Sequence, residues 1–286
     1  MTKIRAVTTG FATVDYSIEL AEQFSGTGTR TIRHTAADAW PRAGGAALYA
    51  SKQLVRKGIV AAPVTWVGSD TGGKAYQAAC AAANVPTDGL HVLREATTAT
   101  CFLIYQPDGD YGCLFQPPTV EPRSLTAAQR DLLAGAEFVL LAVGPPALAG
   151  EILAAISPSA IVAWVAKTDH TAYPSPVRKA YASRANFIFC NARERDFVNA
   201  SLDTLQEPGQ VIIETRGSEG VLVDMKERQF IVPVAESIET PDTTGAGDTL
   251  AGGTMAAILT GEDDLEVAVA KGIAQSAELL RSRQSN

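Results

Sequence analysis

Asp248 directly follows a Gly-Ala-Gly turn in the run Asp242-Thr243-Thr244-Gly245-Ala246-Gly247-Asp248. The residues after it, Thr249 to Leu259, are small and apolar enough to form a buried helix. A glycine turn at a helix start leaves backbone N–H groups unpaired and lets a ligand come close to them. With the positive end of the helix dipole, those groups make an anion site. A carboxylate beside an anion is unfavourable unless it has chemical work to do. Accepting the proton of a hydroxyl that attacks a phosphoryl group is such work. The plainer alternative is a glycine-rich turn capped by an Asp.

Other residues offer chemistry of a compatible kind. Asp15 stands just past an expected first strand, where a carboxylate can grip neighbouring hydroxyls. Gly44 and Gly45 open a helix and let a substrate touch the backbone. Asn191 and Glu194 are three apart after the apolar run Phe187-Ile188-Phe189-Cys190. They suit either a magnesium ion held partly through waters or a helix start with a first-turn acid. Arg30, Arg33, Arg42 and Arg94 lie near the expected cleft and are candidates to clamp a phosphate on the substrate. A rival phosphate loop is Gly68-Ser69-Asp70-Thr71-Gly72-Gly73-Lys74-Ala75, close to the Walker A pattern. Ala75 there lacks the magnesium-binding hydroxyl, and Asp70 would set negative charge among phosphates.

These motifs, in this order, resemble the ribokinase-like (PfkB-type) carbohydrate kinases over nearly the whole chain. The resemblance implies that Gly245, Ala246 and Gly247 hold the transferred phosphoryl group and that Asp248 is the catalytic base. It implies sugar binding at Asp15 and at the Gly44–Gly45 pair; Arg42, just before that pair, is a further candidate to bind the substrate. It implies magnesium and phosphate contacts at Asn191 and Glu194, and nucleotide contacts at Thr215, Gly217, Gly220 and Thr243. The Walker-like segment is similar to a structural Gly-x-Asp-x-x-Gly of the family. Tyr49 departs from the pattern, standing where the family carries an Asn, and either meets an unusual substrate or packs. Asp242 and Thr244 take places that serve a monovalent cation in some members. The short tail Arg281–Asn286 leaves that cation open.

The expected activity is therefore transfer of a phosphoryl group from ATP, with magnesium, to a hydroxyl of a small sugar or polyol. A nucleoside or a vitamin-like alcohol is the alternative acceptor, and a ligand-sensing relative without catalysis is a further reading.

The elements needed to position these residues are legible. Short β-branched runs (Arg5–Thr9, Ala62–Val67, Phe138–Ala142, Ile161–Val165, Phe187–Cys190, Val211–Thr215, Gly220–Asp224) alternate with helical stretches. The helices are expected at Ala46–Lys57, Gly73–Ala83, Thr126–Ala134, Pro146–Ile156, Pro176–Ser183, Ala192–Asn199, Gly245–Leu259 and Leu265–Leu280. Such alternation predicts an α/β fold, a mainly parallel sheet with helices on both faces and ligands at the carboxyl ends of the strands. Segments 11–40 and 98–117 break the rhythm and read as β-hairpins, the second turning at Pro107-Asp108-Gly109-Asp110. Together they are expected to form a small β lid. Its alternating Phe102, Ile104, Tyr105, Leu114 and Phe115 need cover on both faces, which predicts a homodimer through the lid.

Composition sets the outer bounds. The 286 residues are 46% hydrophobic and 19% charged, which fits one globular domain over 1–286. A net charge of −7 argues against a nucleic-acid or anionic-membrane footprint. With no membrane-length apolar run and no signal-peptide pattern, a cytoplasmic protein is expected. Cys80, Cys101, Cys113 and Cys190 read as reduced thiols. His34, His91 and His170 are isolated and suggest no metal cluster.

Overall fold

The computed structural model describes residues 5–35, 37–109, 111–202, 209–240 and 242–284. Asp110, Ser285 and Asn286, parts of the expected turn and tail, lie outside the described residues. In chain order the strands are β1 (Ala6–Thr9), β2 (Thr13–Leu20), β3 (Ile32–Thr35), β4 (Arg42–Gly44), β5 (Ala61–Gly68), β6 (Leu90–Leu93), β7 (Ala99–Tyr105) and β8 (Tyr111–Gln116). They continue with β9 (Phe138–Leu141), β10 (Ile161–Val165), β11 (Phe187–Asn191), β12 (Val211–Thr215), β13 (Val221–Asp224) and β14 (Gln229–Val232). The helices are α1 (Ala46–Arg56), α2 (Thr71–Ala82), α3 (Ala127–Gly135), α4 (Ala149–Ala155), α5 (Ser175–Arg184), α6 (Arg195–Asn199), α7 (Ala246–Leu259) and α8 (Leu265–Gln284).

The main sheet runs β14-β13-β12-β11-β10-β9-β1-β5-β6. It is parallel from β12 to β6, and β13 and β14 form an antiparallel edge. Strands β1, β5 and β9 are buried along their whole length, as a sheet covered on both faces requires. Alternation along β9 sorts the two cores. Val139 and Leu141 pack with Trp164 against Leu133 of α3, Ile152 of α4 and Tyr181 of α5. Phe138 and Leu140 face Leu54 of α1, Leu250 and Met255 of α7 and Val269 of α8. The sheet winds outward in both directions from the β1–β9 pair. That is the switch point at which α/β sheets open a crevice at their carboxyl ends.

The lid is a separate sheet, β3-β2-β7-β8, with β4 paired to β2. Its two segments are not merely adjacent hairpins. β2 and β7 pair in parallel, Thr13–Glu19 against Ala99–Tyr105, and lock the segments into one unit. Cleft-facing and outward residues alternate as β periodicity dictates.

Several elements differ from the sequence reading. The short strands β4, β6 and β14 were not expected, because three or four residues carry little periodic signal. α6 begins at Arg195 and not at Ala192. Asn191 and Glu194 close a turn ahead of it, Glu194 N–H donating to Asn191 Oδ1 (3.0 Å) and Asn191 N–H to Glu194 Oε2 (2.9 Å). α8 runs past Leu280 to Gln284 because Arg283 in its last turn is buried against partners elsewhere.

The Walker-like loop is spent on structure. The Asp70 carboxylate caps α2, accepting from Gly73 N–H at 2.9 Å, from Thr98 N–H at 3.0 Å and from Thr98 Oγ1 at 2.7 Å. It thereby ties α2 to the start of β7 and fills the helix N-terminus that a phosphate would need. Asp70→Ala is expected to lower stability by about 1–2 kcal/mol, read from urea denaturation. Lys74→Ala should leave nucleotide affinity unchanged.

Candidate active site

A cavity of about 630 Å³ opens at the carboxyl ends of the parallel strands, under the lid. Its lining joins Asp15 and Thr13 of β2 to Lys167 beyond β10, to Asn191 at the end of β11 and Glu194 after it, to Thr215 at the end of β12 and Gly217 after it, and to Thr243–Asp248. Residues scattered over the whole sequence thus meet at one site.

The floor is the N-terminus of α7. Gly245 adopts φ 76°, left-handed backbone that glycine tolerates, and Ala246 opens the helix. The Tyr49 ring lies so close that a Cβ at Gly245 would sit 2.7 Å from three of its ring atoms. Asp248 is half-buried in the first turn, and burial pushes its carboxyl up to about 6 against the lowering field of Lys167. The amides of Gly245, Ala246 and Gly247 and the Asp248 carboxylate therefore share one end of the cavity.

The loop entering this turn is fixed through Asp242. Arg42 Nη2 donates to Asp242 Oδ2 at 2.6 Å. Arg283 Nη1, from the last turn of α8, donates to the Asp242 carbonyl at 3.1 Å and to Oδ1 at 3.2 Å. Tyr105 of the lid donates to Asp242 Oδ1 at 3.0 Å and shares a 2.6 Å hydrogen bond with Thr244 Oγ1. Arg283 Nη2 also donates to the Tyr49 hydroxyl at 3.2 Å. Burial would raise the Asp242 carboxyl, but Arg283 and Arg42 outweigh it and hold the group below its ordinary range.

Asp242 and Thr244 are thus engaged with protein partners, and a monovalent cation does not fit there. The same contacts move two expectations. Arg42 lies off the cavity lining and serves Asp242, with a 3.3 Å contact to Asp38. Tyr49 is 4% exposed and packs on the Gly245 turn while touching the cavity. Burial raises its phenol to about 12.

Asp15 of β2 lines the cavity from the lid. It takes a 2.7 Å hydrogen bond from Thr13 Oγ1, and burial pushes its carboxyl up to about 6. Gly44 lies beneath it, where any Cβ would sit 1.9 Å from Asp15 Oδ2. Gly44 makes room for the carboxylate and does not itself line the cavity, whereas Gly45 does. Phe11 and Phe115 form an aromatic pair at 5.1 Å on the same wall. None of the four candidate arginines reaches this wall. Arg30 bonds the Gln23 and Thr29 carbonyls, Arg33 pairs with Glu19, and Arg94 is exposed away from the lining.

The opposite end carries Asn191, Glu194, Thr215, Gly217, Gly220 and Thr243, all on the lining. Among the described residues no three acidic, His or Cys side chains cluster as a metal site. Glu194 is a buried carboxylate facing the cavity, raised by burial and lowered by Lys167 and Asn191. One such carboxylate suits magnesium, which keeps several waters and takes its other ligands from substrate phosphates. Val221, Val234, Ile238, Ile273, Ala277 and Leu280 make an apolar slot beyond it.

Sequence reasoning missed that slot, Arg283 and Lys167. The slot residues come from three segments with no shared spacing. Arg283 lay in the tail expected after the last helix and gave no signal of its own, and Lys167 stands alone after a strand end.

The sequence pattern of the pfkB family of carbohydrate kinases matches residues 11–286. The chain belongs to this family. The nucleoside kinase of Methanothermobacter thermautotrophicus is 25% identical over 228 residues, 77% of this chain and 72% of that protein. The crystal structure of the Methanocaldococcus jannaschii nucleoside kinase, described as an archaeal member of the ribokinase family, superposes with a TM-score of 0.78. It is 20% identical and covers 98% of this chain and 93% of its own. Ribokinase from Cryptococcus neoformans var. grubii serotype A in complex with ADP gives 0.80 at 19% identity, with 95% and 92% covered. The pfkB-family fold, its parallel sheet and its motif order are therefore as the sequence implied.

The Asp242 junction makes a measurable claim on this pfkB-family chain. Arg283→Ala leaves a buried carboxylate with one guanidinium fewer. A stability loss of about 2–4 kcal/mol is expected, read from urea denaturation, with Arg283→Lys recovering part of it.

Proposed function

We propose that this chain transfers the γ-phosphoryl group of ATP to a hydroxyl of a small, uncharged sugar or polyol. The observation that carries this reading is the shared end of the cavity, where Asp248 stands beside the Gly245–Gly247 amides with Asp15 on the acceptor side. The absence of any of the four arginines from the acceptor wall, among the described residues, favours an acceptor without a phosphate. Asp15 would hold acceptor hydroxyls. The attacking oxygen forms its bond to the γ-phosphorus as the bond to the β–γ bridging oxygen breaks. ADP leaves with that electron pair, and the hydroxyl proton passes to Asp248. The helix N-terminus supports the charge spread over the moving group. The apolar slot suits adenine, with Thr215, Gly217 and Gly220 near the phosphates. Magnesium, held by Glu194 through waters, would neutralise phosphate charge. The lid would exclude water from the reacting group.

A nucleoside acceptor is the second reading. The Phe11–Phe115 pair offers a face on which a base can stack, and two curated relatives carry the name nucleoside kinase.

The lid also supports a dimer. Its outer face carries Phe102 stacked on Tyr16 at 5.3 Å and Trp40 edge-on to Tyr16 at 5.2 Å. Leu114 is 60% exposed there and Trp40 48%. A two-fold dimer through these faces covers them. Sedimentation at micromolar protein is expected to give twice the 30.0 kDa chain mass. A single species at the chain mass would remove the dimer.

The base assignment is tested with a panel of sugars, polyols and nucleosides, following ADP release. Asp248→Asn is expected to cut kcat by roughly 10²–10⁴-fold while ATP still binds. Because Asp248 ionises at about 6, kcat/KM should fall as the pH drops through that value. Its folded value lies above the ordinary 3.8, so its favourable contribution to stability is complete below about 4 and is lost as the pH rises through 6. Asp248→Asn should therefore stabilise the protein at pH 8, by on the order of 1–2 kcal/mol, and not at pH 4. Retention of half the wild-type rate would remove Asp248 from the chemistry.

A further inference from the structure

We propose that Lys167 is a catalytic residue that holds the transferred phosphoryl group, a role that rests on the phosphotransfer reading above. Among the described residues lining the cavity, five are carboxylates: Asp15, Asp169, Glu194, Glu236 and Asp248. Lys167 is the one lysine or arginine among them. A nucleoside triphosphate must enter this acidic cleft with several negative charges of its own. The α7 N-terminus offers only about half a unit of positive charge, whereas an ammonium is a full and compact one.

Its position suits the task. Lys167 lies two residues beyond the end of β10, where the sheet presents ligands. Nζ donates to the Tyr111 hydroxyl at 2.8 Å and stands 3.8 Å from Glu194 Oε1. One contact is on the lid and the other on the nucleotide side, so the charge sits between the two halves of the cleft. Asp248 is within its field. An ammonium has three donors; Tyr111 takes one, and Glu194 at 3.8 Å is an ion-pair neighbour beyond hydrogen-bond reach, so donors remain for a phosphoryl oxygen. Other cations near the site are committed. Arg42 and Arg283 hold Asp242, Arg195 holds Glu214 and Asp224, and Arg216 holds Glu214.

A purely structural Lys167 would act as a lid latch through Tyr111. The two roles separate in binding. Calorimetry with the full chain compares β,γ-imido-ATP with ADP, both with magnesium, for wild type, Lys167→Met, Lys167→Gln, Lys167→Arg and Tyr111→Phe. Loss of Lys167's charge is expected to weaken the triphosphate about tenfold or more and to leave ADP within about twofold, which also reports that the variant is folded. Lys167→Arg should restore most of the difference, and Tyr111→Phe should leave it intact. Equal effects on both nucleotides in the Met and Gln variants, or none on either, would overturn the proposal. Wild type that binds neither nucleotide would instead overturn the phosphotransfer reading.

Discussion

The Asp242 carboxylate meets the guanidiniums of Arg42 and Arg283 and the hydroxyl of Tyr105, and this junction fixes where α7 begins. Its partners come from β4, from the last turn of α8 and from the lid strand β7. Tyr49 of α1 joins through Arg283. Burying one carboxylate between two guanidiniums is costly in desolvation and holds only when geometry and further hydrogen bonds offset the cost. Here the backbone carbonyl of Asp242, its carboxylate and the Thr244 amide are all engaged. The consequence is local. Gly245 is held in left-handed backbone under the Tyr49 ring, and Ala246 and Gly247, which follow it, line the cavity.

From that fixed end the electrostatics of the cleft follow. Asp15, Glu194 and Asp248 are all raised, first of all by burial. Three uncomfortable carboxylates around one cavity weaken the folded protein at neutral pH, and such strain is typical of sites kept for chemistry. Each gains from what the cleft is proposed to receive: hydroxyls at Asp15, a cation at Glu194, a proton at Asp248. Lys167 tempers the group before any ligand arrives.

Much of this was legible in the sequence because it depends on local chemistry. The Gly-Ala-Gly-Asp run, the Asn191/Glu194 spacing and the strand–helix rhythm each follow from what a few adjacent residues can do. The motif order then identified the fold. Arg283 and Lys167 were illegible because their roles depend on where distant segments meet. A lysine after Val165-Ala166 or an arginine near a helix end looks like any solvated charge. The parallel pairing of β2 with β7 was hidden for the same reason, since hairpin signals describe neighbours in sequence only. Arg42 was noticed but placed on the substrate, whereas it is committed to the Asp242 junction; Tyr49, open between substrate and packing, packs on the Gly245 turn and also lines the cavity.

The central claim is that phosphoryl transfer occurs at the N-terminus of α7. The most direct measurement is a crystal structure with ADP, magnesium and aluminium fluoride, which mimics the phosphoryl group in flight. The account predicts the fluoride over the Gly245–Gly247 amides, beside Asp248, with adenine in the slot formed by Ile238, Ile273 and Leu280. Fluoride bound at the Gly68–Lys74 loop, or adenine outside that slot, would contradict it.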